Sequence, residues 1–202
     1  MSDIQQLRSS LTRALDQEER TRDEAFSMSR DIIRSCRKAI SELVMERDVD
    51  LDGIREDVGR ITDIDGWNVH RFAFVEDALA EYCEAEILRS ILNGDSIPHP
   101  DHLGVPERVY VLGACDTVGE LRRVTLNRLL RSEIEGAVSV YESMKEIGEM
   151  VAGLAYPTGM IPLKKKQDVV RSLLDRTGGE LLIALHSQEG RNKDKVVQTD
   201  GR

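Results

Sequence analysis

The opening of the chain limits its fold more than any other part: residues 2–47 contain neither glycine nor proline. Ile4, Leu7, Leu11, Leu15, Phe26, Ile33, Ile40 and Leu43 fall largely on one stripe at helical spacing. An unbroken stretch with that periodicity reads as a single amphipathic helix. At a rise of 1.5 Å per residue it would approach about 70 Å in length. A chain of 202 residues does not enclose a rod of that length by itself, so lateral partners are expected.

The rest of the chain continues in the same manner. Aromatic residues make up only 4% of it and β-branched runs are scarce, which favours helices over a sandwich or barrel. A break at residues 48–53 precedes a short helical pattern over 51–64, and helical pattern resumes over 68–92. Gly94, Pro98, Pro100, Gly104 and Pro106 make residues 93–106 the clearest loop. That loop is short enough to predict that the helices on either side are antiparallel neighbours. Further helices are predicted over 107–131 and 133–154. A last one runs to about residue 186, with Pro162 in its first turn and Gly178-Gly179 marking weakness or close packing. The expected fold is all-α, a bundle of about six or seven helices in one domain over residues 1–187. Residues 188–202 are expected as a polar, disordered tail.

Charge and cysteine usage exclude several classes. Lys and Arg number 28 against 37 Asp and Glu, so 28 − 37 gives a net charge of −9. That sign argues against a protein that coats DNA, while leaving room for a basic face on one side. Cys36, Cys83 and Cys115 are odd in number and lack CxxC spacing, so they read as small buried hydrophobes in a reducing compartment. No apolar run reaches the roughly 18 residues a membrane span needs. The polar start carries no secretory core, which gives a cytoplasmic expectation.

Two acidic pairs stand out. Glu81 and Glu84 are i and i+3 on one predicted helix, and Asp116 and Glu120 are i and i+4 on the next. Each pair presents two carboxylates in one direction. If both faces turn inward, four carboxylates converge, and they can stay ionised together only around a cation. An all-oxygen set without imidazole suits Mg²⁺, with Mn²⁺ as the alternative; such an ion can polarise a phosphate oxygen or a water. In a chain with 37 acidic residues such pairs also arise by chance as solvated faces. A di-iron bundle would want a His three residues after a Glu, which neither Glu81 nor Glu84 has. The four histidines, His70, His99, His102 and His186, form no paired motif. Basic residues cluster at Lys164-Lys165-Lys166 with Arg171 and Arg176, and at Arg122, Arg123, Arg128 and Arg131. A surface that tracks phosphates would need such stretches.

The segment from Tyr110 to Arg123, Y-V-L-G-A-C-D-T-V-G-E-L-R-R, resembles a motif of the translin superfamily, and in particular its translin-associated factor X branch in an archaeal-type form. Asn127 also falls where that family carries Asn. His70-Arg71 followed by the run from Leu79 to Ala85, L-A-E-Y-C-E-A, is similar to a second family motif, and Ser29-Arg30-Asp31-Ile32 to a third. The resemblance spans about residues 10–187. Cys115 and Val118 depart from the family pattern, and the stretch before Tyr110 is shorter.

The resemblance implies an all-α fold assembling into a hollow octamer that binds single-stranded or structured RNA and DNA inside. In the factor X branch it implies a Mg²⁺-dependent endoribonuclease whose acids match Glu81, Glu84, Asp116 and Glu120. Lys165, Lys166, Arg171 and Arg123 would then hold the nucleic-acid backbone. The shorter stretch before Tyr110 favours a homo-oligomer over pairing with a separate subunit. A translin-type oligomer that binds single strands without cutting them is the alternative.

Overall fold

A computed structural model describes residues 3–64 and 72–199, with side chains as far as residue 188. The elements among these residues are seven helices: α1 (Asp3–Val44), α2 (Asp52–Asp63), α3 (Ala73–Asn93), α4 (Pro100–Leu103), α5 (Glu107–Leu130), α6 (Ile134–Ala152) and α7 (Leu163–Thr199). None is long and apolar enough to cross a membrane. His70 and Arg71 lie outside the described residues.

The first helix divides into two halves. From Thr21 on it buries one side chain per turn, through Ala25, Ser29, Ile32, Cys36, Ala39, Ile40, Leu43 and Val44. Before Thr21 every described side chain is exposed, Ile4 at 78% and Leu15 at 63% among them. The first half is therefore a free rod of roughly 27 Å carrying an unused apolar stripe.

Helices α3 and α5 form the centre. Each buries ten of its residues, on several sides, as expected of helices surrounded by others. α1 and α2 cover α3; α6 and α7 cover α5. The direction of the helices differs from the antiparallel expectation. Glu76 pairs with Arg108, Gly113 abuts Ala80 and Cys83, and Glu84 faces Asp116 and Glu120, so positions rise together along α3 and α5. The two helices are parallel. Residues 94–106 are not a tight turn but a return path containing α4. Extended chain covers up to about 3.3 Å per residue, against about 1.5 Å per residue in helix, so the connection is long enough to travel back along α3. Two left-handed glycines shape it: Gly94 (φ +77°) closes α3 and Gly104 (φ +66°) closes α4.

Most of the basic residues of α5 act as latches. Arg128 and Arg131 both donate to Glu46 just past α1, and Arg128 also reaches the Gly136 carbonyl. Arg122 holds Glu180 through two bonds of 2.7 and 2.9 Å and Thr177 through a third of 2.8 Å. Asn127 donates to the Val44 carbonyl at 3.3 Å, tying α5 to the end of α1. In α7, Gly178 is a close-packing position, since a Cβ there would sit 2.6 Å from the Tyr141 hydroxyl. Beyond it the helical backbone continues to Thr199.

Candidate acidic site between α3 and α5

A single glycine sets up the site. At Gly113 a Cβ would lie 2.6 Å from the Ala80 carbonyl oxygen and 2.7 Å from the Cys83 Cβ, so only glycine lets α5 approach α3 this closely. One turn further along, Asp116 and Glu120 face the residues next to that crossing, Glu81 and Glu84. All four carboxylates are partly buried. Glu81, Glu84 and Glu120 line a cavity of about 330 Å³ together with Arg37, Ser41 and Arg123.

The four acids are not equivalent. Three are matched by basic side chains from different elements. Arg37 of α1 donates to Glu81 Oε1 at 3.1 and 3.2 Å. Arg123 donates to Glu120 at 2.5 Å, and Lys166 of α7 donates to Asp116. The fourth, Glu84, has like charges around it instead. Burial, then Asp116, Glu120 and Glu81, push its carboxyl up to about 8, with Lys166 pulling weakly the other way. Ionising Glu84 costs more than its surroundings return unless positive charge arrives.

The three thiols are free and buried. Burial foremost, helped by neighbouring carboxylates, lifts Cys36 to about 12 and Cys115 to about 11, and burial also raises Cys83. They are inert packing residues, as their number and spacing suggested. His99 caps α4, accepting from the Asp101 backbone N–H at 3.4 Å, and its ring meets that of His102 edge-on.

Among the described residues, no three acidic, histidine or cysteine side chains enclose a common point as a ready metal cage. The chemistry of the donor set nonetheless fits a hard dication. It is all carboxylate, and its most buried member lacks compensating charge. Of the basic residues singled out in the sequence, Arg123 and Lys166 join the acidic cluster. Arg171 instead pairs with Asp168 and lines a groove between α6 and α7 with Lys145 and Gln167. Lys165 is exposed on the first turn of α7. Sequence reasoning missed Arg37, which sits far away in the chain, on the long first helix. The periodic arginines of that helix were the available signal.

No family profile matches the chain. It is 26% identical over 183 residues to the uncharacterized protein MJ0175 of Methanocaldococcus jannaschii, covering 88% of this chain and 82% of that one. It superposes on the crystal structure of AfC3PO with a TM-score of 0.73 at 21% identity, over 89% of this chain and 97% of that one. The structure of an AfC3PO–duplex RNA complex gives 0.72 at 21% identity, over 89% and 96%. Apo-NeC3PO gives 0.70 at 19% identity, over 91% and 98%. The chain thus has the fold of AfC3PO and NeC3PO.

Proposed function

We propose that a chain with this fold is a translin-type nucleic-acid-binding protein that hydrolyses phosphodiester bonds of single-stranded RNA with Mg²⁺ at Glu81, Glu84, Asp116 and Glu120. The observation that carries the reading is Glu84, a half-buried carboxyl surrounded by three others from two helices. A fold keeps such an arrangement at a cost to stability, and strongly perturbed groups of that kind cluster at functional sites. Magnesium, or manganese in its place, would supply charge neutralisation for the four acids and Lewis acidity toward a phosphate oxygen.

The chain's own residues set the rest. Lys166 and Arg123 border the acids, and once a dication takes over the carboxylates these two cations are available to a phosphate. Phosphate contacts carry no base information, so cleavage is expected to be weakly sequence-selective. The exposed stripe of Ile4, Leu7, Leu11 and Leu15 supports self-association into a homo-oligomer, a hollow octamer by resemblance, which light scattering would measure.

The non-catalytic alternative has its own support. Three of the four acids already carry a basic partner, and a site compensated in that way can be a stable structural feature of a binding oligomer. One assay separates the two. Labelled single-stranded RNA and a duplex of the same sequence are incubated with the protein, with Mg²⁺ and with EDTA. The duplex arm is included because AfC3PO forms a complex with duplex RNA. The enzyme reading expects Mg²⁺-dependent cleavage of the single strand, lost at least 100-fold in Glu120→Gln. Retention of RNA by wild type and variant alike, with no product, would establish the binding protein instead.

A further inference from the structure

The sequence contains three phenylalanines, and all three meet at one place, where α1 passes the start of α3. Phe26 of α1 meets Phe74 of α3 edge-on, with ring centroids 5.3 Å apart. Phe72 lies parallel to Phe74 at the same centroid distance. Phe72 and Phe74 are partly buried and pack against the core, while Phe26 at the outer edge of the cluster is 43% exposed. Arg30, one turn along α1, places its guanidinium 5.9 Å from the centre of the Phe26 ring.

From Arg30 the same face of α1 continues with Arg34 and Arg37. These three arginines and Ile33 line an open groove of about 410 Å³. Arg37 also lines the acidic cavity and is bonded to Glu81. The groove and the cavity therefore adjoin at Arg37. Arg34 and Arg37 keep side-chain exposures of 75% and 69%. The ion pair from Arg34 to Asp31 is a surface i,i+3 contact, which holds a guanidinium only weakly against competition from a phosphate.

We infer that the α1 face from Phe26 to Arg37 is a track for single-stranded RNA, with a base stacking on Phe26 and with Arg30 and Arg34 gripping phosphates on the way to Glu81. The inference rests on the nucleic-acid reading above and adds to it the residues that select a single strand. Aromatic faces bind bases only when these are unpaired, and arginines beside them hold the backbone. A chain of net charge −9 gains nothing for solubility from a row of arginines, whereas a polyanion entering an acidic cavity needs positive charge along its approach. Phe26 to Arg37 covers roughly 16 Å of helix, about the length of four to five stacked nucleotides at 3.4 Å each.

The test is fluorescence anisotropy of a labelled single-stranded RNA and its duplex, binding to full-length protein in EDTA, titrated with salt. Two variants join the wild type: Arg30→Gln/Arg34→Gln, and Phe26→Leu, which keeps apolar contact with Phe74 but removes the ring. Circular dichroism confirms that both are folded. The double arginine variant should weaken single-strand binding about tenfold and flatten the log K against log salt slope by about 1.4, two phosphate contacts at 0.7 each. Phe26→Leu should weaken the single strand several-fold, leave the duplex nearly unchanged, and keep the wild-type salt slope. Folded variants that bind single strands with wild-type affinity and slope would overturn the track while leaving the nucleic-acid reading intact. Wild type that binds neither RNA would overturn that reading, and the track with it.

Discussion

Glu84 and Glu86 lie two positions apart on α3, and both are withdrawn from water, but their surroundings are opposite. Glu86, 1% exposed, accepts from Arg55 of α2 and from Arg89, each at 2.7 Å. Arg55 also donates to the Tyr82 hydroxyl at 3.3 Å, so this face of α3 is a compensated buried network. Glu84, on another face, is turned toward the acids of α5 and carries a raised carboxyl. The same residue type two positions along is a brace on one side of the helix and a charge deficit on the other. What differs is which neighbouring helix arrives, α2 with an arginine or α5 with two carboxylates. Burial of a charge thus says little about its role until its partners are known.

Three substitutions would break or sharpen this contrast. The largest effect is expected from Glu86→Ala, which removes the buried carboxylate that Arg55 and Arg89 share. It should cost about 3 kcal/mol, read as a lowered urea midpoint at unchanged slope. A loss under about 1 kcal/mol would mean that water compensates the arginines and that the brace is a surface feature.

Gly113→Ala comes next. The added methyl meets backbone at the α3–α5 crossing, and such overpacking costs about 2 kcal/mol. Because the helices must separate to admit it, RNA cleavage should fall more steeply than the fraction of folded protein. Equal stability and activity to wild type would show that the close approach does not set the spacing of the acids.

The smallest expected effect has the opposite sign. Glu84→Gln removes the raised carboxyl and should stabilise the protein in EDTA by about 1 kcal/mol while abolishing Mg²⁺-dependent cleavage. The pH profile follows from the direction of the shift. Below the ordinary carboxylate range Glu84 is protonated in both folded and unfolded states, so the variant gains nothing. As pH rises towards about 8, the unfolded wild type releases a proton that the folded form keeps, and the advantage of the variant grows. Above that value it levels off. Thermal melts of both proteins from pH 4 to 9 would check this, and a gain independent of pH would remove the claim that like charge is what burdens Glu84.

Much of this molecule could be read from its residues. The absence of breakers over 2–47 fixed one long helix, and Gly94, Gly104 and the prolines between 98 and 106 marked where the chain must turn. The i, i+3 and i, i+4 spacing placed Glu81 with Glu84 and Asp116 with Glu120, because helical geometry is local and repeats every 3.6 residues. Burial of the three cysteines likewise followed from their number and setting. The direction of α5 relative to α3 could not be read in this way: residues 94–106 can either turn sharply or run back, and only packing selects the return path. Nor could local pattern tell that Arg122, Arg128 and Arg131 are latches while Arg123 joins the acids, or that Arg37 of the long first helix would reach Glu81. The sequence by itself determined which segments are helical and which side chains share a helix face. Tertiary structure alone decided which faces meet, since the energy of a charge or a ring depends on neighbours brought from tens of residues away.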